Sequence, residues 1–214
     1  MRFRKPLSKA RRLIPVLFLL AIFPACPTKP AADGRTFSDA EKGFSITRPA
    51  GWLFATREEI REMRSRASFQ DKEFESKVRE RAVLPFVVIM KHETNYEGLN
   101  PSVQVILRSA GELEKMPVIF IMNMLLPSYE KALPDFELVE NTRLDTVGGR
   151  EAAFAKSRYN YTTEEGRTFP VLNRMWIIRR GQDLLMISMT DAQDGSDVAE
   201  AEFAEILKSI TIEG

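Results

Sequence analysis

Between Phe136 and Thr190 the chain carries four apolar-rich segments separated by three short polar breaks. The segments are Phe136–Leu144, Arg150–Tyr161, Thr168–Arg179 and Leu184–Thr190. The breaks are Gly148-Gly149, Thr163–Gly166 and Arg180–Asp183. Connections this short join antiparallel neighbours, because a parallel crossover needs a dozen residues or more. A four-stranded antiparallel meander is therefore expected in the C-terminal half. In its second segment Ala153, Ala155, Tyr159 and Tyr161 fall on one face.

The meander has to bury one face at least, and the rest of the chain supplies both strands and helices for that. Phe44–Thr47 alternates and stops at Arg48-Pro49-Ala50-Gly51, after which Trp52 offers a large apolar anchor. Thr56–Ala82 is rich in Glu, Arg and Lys, with Ile60, Met63, Ala67, Phe74 and Val78 at helical spacing. Thr56 with Glu59 forms a capping-box pattern at its start. Val83–Lys91 and Ser102–Arg108 read as strands, the second with Val103, Val105 and Leu107 on one face. Pro117 suits a helix start, and the apolar Val118–Leu126 predicts a buried helix that Pro127 kinks or restarts, with Ser128–Leu133 as its last turn. Asp197–Ser209 predicts a closing helix capped by Ser196 or Asp197. Antiparallel sheet with segregated flanking helices is the α+β class.

The first residues do not belong to that fold. A basic stretch to Arg12, an apolar run Leu13–Phe23 and the small-residue exit Ala25-Cys26 follow the order of an export signal. The apolar run has eleven residues, whereas a helix that crosses ~30 Å of hydrocarbon needs about 20. Arg11-Arg12 reads as ordinary signal charge. The organisation expected is a signal over 1–25, a Pro/Ala-rich semi-extended tether over 26–36, and one globular domain over 37–214. Charge divides in the same place. The first 25 residues hold six bases and no acid, and the remainder holds 25 bases against 30 acids, a net of −5. A mildly acidic body argues against nucleic-acid binding, which depends on concentrated positive charge.

Phe23-Pro24-Ala25-Cys26 resembles the lipobox of bacterial lipoproteins, with Phe23 and Pro24 departing from the usual pattern. The resemblance implies that Cys26 carries the acyl anchor after processing and that the membrane is a partner through it. A free thiol left at that terminus, without a second cysteine to pair with, would be a liability in an oxidising compartment. Pro27 after the cysteine, in place of Asp, leans toward the outer membrane by analogy with enteric sorting.

Gly43–Trp52 resembles the strand, Pro-turn and Trp opening of PsbP-like domains, and Asn100–Val105 resembles their second recurring strand. Gly181–Met189 and Glu202–Ile210 resemble their C-terminal half, so the likeness covers roughly residues 37–212. It implies an α/β/α sandwich around an antiparallel sheet and an accessory or binding role, with no shared catalytic motif. The helical stretch Thr56–Ala82 is longer than the family leads one to expect.

Chemistry is sparse. There is no Gly-x-Ser-x-Gly, P-loop or dinucleotide-binding glycine pattern, and no cofactor is expected. His92-Glu93 lacks the second His of a zinc-protease motif, since position 96 is Tyr. A triad built on His92 has no flagged nucleophile, and a polar strand end is the plainer reading. Asp191, Asp194 and Asp197 fail the spacing of a calcium loop and read as a solvated turn before the last helix. The methionines within apolar segments read as core filling.

The expectation is an exported, membrane-anchored, non-enzymatic domain that binds another envelope protein through Thr56–Ala82 or neighbouring loops. The alternative is a small-molecule or lipid-binding module with a cleft between the sheet and Val118–Leu126. A hydrolase using His92 is the second alternative.

Overall fold

The computed structural model describes residues 34–65, 83–94, 96–163, 165–194 and 199–214. The expected export signal, Cys26 and residues 66–82 of the expected helical stretch lie outside the described residues.

The meander forms as its turns require. β6 (Glu137–Val147), β7 (Arg150–Thr162), β8 (Thr168–Arg180) and β9 (Asp183–Ala192) pair antiparallel in sequence order. Gly148 and Gly149, both at positive φ, make the two-residue turn whose twist suits a hairpin. A Cβ on Gly148 would also stand 3.0 Å from the Ile212 side chain. The sheet continues past β9 through β5 (Ser102–Ser109) and β4 (Val87–Met90) to the two-residue β3 (Leu53–Phe54). Its order is β3-β4-β5-β9-β8-β7-β6, seven strands with every pairing antiparallel.

A second sheet of three strands joins the two ends of the described chain. β1 (Thr36–Asp39) and β2 (Phe44–Thr47) form a hairpin, and β10 (Thr211–Ile212) pairs with β2. The hydroxyl pair Ser45–Thr211 and the Thr47 N–H donating to Ser209 Oγ tie residues more than 160 apart. This small sheet and α3 (Glu200–Ser209) cover one face of the large sheet. Phe37, Phe44, Ile46, Phe203, Ile206 and Ile212 pack there on Val103, Val105, Ile187, Trp176 and Phe154. Trp52 is 2% exposed and meets Phe203 edge-on at 5.8 Å, which fulfils the anchoring role its position suggests.

The opposite face carries the other two helices. α1 (Arg57–Ser65) is capped reciprocally, the Glu59 N–H donating to Thr56 Oγ1 and the Thr56 N–H to the Glu59 carboxylate. It lays Ile60 on Val88 and Met90 of β4. α2 (Val118–Ala132) sets Val118, Ile121 and Met122 on Ala153, Ala155, Met175 and Ile177. The helix runs through Pro127 without a break and ends where Leu133, extended before Pro134, cannot continue it.

The architecture is α+β, an antiparallel sheet flanked by helices on both faces, as expected from the sequence. Two details differ. The expected buried helix is buried on one side alone, because Phe120 and Met124 are 59% and 53% exposed. That exposure also removes Met124 from the set of core-filling methionines. The expected cap residues of α3, Ser196 and Asp197, lie outside the described residues; Asp191, reaching across from β9, accepts the Ala199 N–H. Asp191 is thus no part of a solvated turn: it is buried and paired with Arg174 at 2.9 Å. Among the described residues no helix is long and apolar enough to cross a membrane.

Candidate functional site

Strand alternation sends Gln104 and Ile106 of β5, Met186 and Ser188 of β9, Asn173 and Met175 of β8, and Ser157 and Tyr159 of β7 to the face that bears α2. Cross-strand register then aligns the polar members. Gln104 stands opposite Ser188, and Asn173 stands opposite both Thr190 and Ser157. A belt of amides and hydroxyls therefore crosses four strands on a face that is otherwise apolar. α2 covers only part of it.

A cleft of about 130 Å³ remains between this belt and the C-terminal half of α2. Leu126, Tyr129 and Leu133 wall it from the helix side, with Phe136 from the turn that follows. That turn is fixed to β7, since the Asn160 N–H donates to the Pro134 carbonyl and the Asn160 amide to Asp135. Asp135 takes a positive φ of 53°, a conformation that Asp tolerates better than most residues. At the other end of α2, the Arg179 guanidinium donates to the Leu113 and Met116 carbonyls and holds the approach to the helix. Both ends of the wall are thus tied to the sheet beneath.

Within the cleft, Ser188 Oγ donates to Asn173 Oδ1 at 2.6 Å. The Gln104 amide, the Ser157 hydroxyl and the phenols of Tyr129 and Tyr159 make no side-chain hydrogen bond to any described residue. Ser157 is 5% exposed. Burial raises the pKa of both phenols, against the Arg108 charge in the case of Tyr129, so both stay protonated donors at neutral pH. Arg108, beside Tyr129, is itself lowered to about 10 by burial. A cleft of this kind orients a ligand with a few polar contacts and holds it by apolar walls.

His92, singled out from the sequence, does not line the cleft. The His92 ring stacks on Tyr96 at 4.1 Å, and its backbone is bridged by the Asn100 side chain, which accepts from the His92 N–H and donates to its carbonyl. Cys26 lies outside the described residues. Among the described residues no three His, Cys, Asp or Glu side chains gather as a metal site. The expected cleft between sheet and helix is present, but Leu126 is the one member of Val118–Leu126 that lines it. No local motif marks its floor. The available signal was a polar residue interrupting the same apolar face in four strands.

No family model matches the chain, and no curated protein matches it. Several solved structures share its general shape at low identity. Cyanobacterial PsbP (CyanoP) of Synechocystis sp. PCC 6803 aligns over 89% of this chain and 98% of its own, at 13% identity and a TM-score of 0.47. LpqN of Mycobacterium tuberculosis, involved in cell envelope biogenesis, aligns over 88% and 90%, at 14% identity and a TM-score of 0.46. The Ran-binding protein Mog1p of Saccharomyces cerevisiae aligns over 83% and 94%, at 11% identity and a TM-score of 0.45. These are distant likenesses.

Proposed function

We propose that this protein is an exported, membrane-tethered domain without catalytic chemistry, which holds a small molecule in the cleft beneath α2. The observation that carries the reading is the belt of uncharged hydrogen-bonding groups under an apolar wall, with room left between them. Fully packed domains leave few voids of this size. The basic and apolar zones before Ala25-Cys26 support export and an acyl tether at Cys26.

Two experiments test this. Ser157→Leu fills the cleft with an isobutyl group where a hydroxyl without a partner stood. A mixture of ring-sized neutral molecules should raise the melting temperature of the wild-type chain and leave Ser157→Leu unmoved. Equal shifts in both would put binding elsewhere. Cys26→Ser should move the protein from the membrane to the soluble fraction, and retention on the membrane would remove the anchor assignment.

A second reading, an accessory module that binds another envelope protein, has one observation in its favour. Phe120 and Met124 lie one turn apart on the outer side of α2, more than half exposed. Cross-linking in cells would capture a partner that Phe120→Ser with Met124→Gln loses.

A further inference from the structure

The polar groups of the cleft restrict its ligand more than the walls do. The residues lining it include no Asp, Glu, Lys or Arg. A carboxylate or ammonium desolvated there would meet no opposite charge on the lining, an arrangement that strongly disfavours the charged form. The lining itself therefore fits an uncharged ligand, with the Arg108 charge standing beside Tyr129. Its size follows from the volume: an apolar cavity of about 150 Å³ accepts benzene, so 130 Å³ takes one ring or a short branched chain.

The direction of the hydrogen bonds follows from what the lining has left to offer. Ser188 already spends its proton on Asn173 Oδ1, and this leaves the Asn173 amide N–H groups as donors. Tyr129 and Tyr159, both lining the cleft, add two phenolic donors. The Ser157 hydroxyl, 5% exposed, adds another. These donors line one cleft, and a ligand that brings an acceptor meets them there.

Resting on the cleft reading above, we propose that the bound molecule is a neutral carbonyl compound of about one ring, its oxygen accepting from the hydroxyls of Tyr129 and Tyr159. The wall of Leu126, Leu133, Phe136 and Met186 takes the apolar body.

The test compares acetophenone, isopropylbenzene, which has the same shape without the oxygen, and benzoate, by nuclear magnetic resonance titration of the full chain. Acetophenone should bind most tightly. Tyr129→Phe and Tyr159→Phe should each weaken it about three- to tenfold, the worth of one hydrogen bond, and leave isopropylbenzene unchanged. Ser157→Ala provides a third variant should either Phe replacement disturb the fold. Isopropylbenzene binding as well as acetophenone would overturn the carbonyl assignment and leave the cleft standing. Benzoate binding more tightly than acetophenone would overturn the neutral class. Failure of all three to bind would overturn both this proposal and the cleft itself.

Discussion

Replacing Asp191 by Ala removes one member of an ion pair buried behind the cleft. Arg174 Nη1 lies 2.9 Å from Asp191 Oδ1, with the two side chains 7% and 2% exposed. The second terminal nitrogen, Nη2, reaches Glu200, whose side chain is 66% exposed, and the group lies over the Phe203 ring at 5.4 Å. Breaking a buried pair by deleting one partner costs about 3–5 kcal/mol, because the remaining charge is left in a poor solvent. Glu200 still faces the guanidinium and lowers that figure. Loss of the Asp191 acceptor for the Ala199 N–H restores about 1 kcal/mol of it. The expected cost of Asp191→Ala is therefore about 3–4 kcal/mol, read as a fall in the urea midpoint at unchanged slope. Glu200→Ala, at the solvated end, should cost no more than about 1 kcal/mol. Arg174→Met with Asp191→Leu removes both charges together and should recover most of the loss. A cost below about 1 kcal/mol for Asp191→Ala, or equal costs for Asp191→Ala and Glu200→Ala, would refute this reasoning.

Other consequences are as direct. Gly148→Ala should destabilise by about 1–3 kcal/mol, since φ is +57° and the new Cβ meets Ile212 at 3.0 Å; Gly149→Ala, with open space around it, should cost less by thermal denaturation. Asp39 is buried, and desolvation alone would raise its pKa, but hydrogen bonds from the Lys42 side chain and backbone outweigh that and hold it below 3.8. A carboxyl lowered on folding stabilises above its unfolded pKa and loses that contribution as pH falls through the folded one. The difference in stability between wild type and Asp39→Asn should accordingly shrink below about pH 4 in acid titrations followed by circular dichroism.

The meander was legible because short turns admit one strand direction and because Gly148-Gly149 suits a single hairpin geometry. The cap of α1 was legible too, Thr56 and Glu59 being three residues apart and their bonds local. What escaped was long in range. β1 and β2 have four residues each and β10 two, and the pairing of β10 with β2 joins Phe44 and Ser45 to Ile212 and Thr211, a contact that no local pattern encodes. The floor of the cleft escaped for a related reason. Gln104, Ser157, Asn173 and Ser188 each look like an ordinary polar break in an apolar strand, and only the cross-strand register makes them neighbours. In Val118–Leu126 nearly every residue is apolar, so its composition could not tell Ile121, fully buried, from Phe120, mostly exposed.

The methionines offer the most direct test of the cleft. Met175 and Met186 line it, Met124 stands on the outer side of α2, and Met90 is buried under α1. With ¹³C-labelled methionine methyl groups in the full chain, acetophenone should shift the Met175 and Met186 signals and leave those of Met90 and Met124 in place. A shift confined to Met124, with Met175 and Met186 unmoved, would place binding on the outer face of the helix and contradict the account.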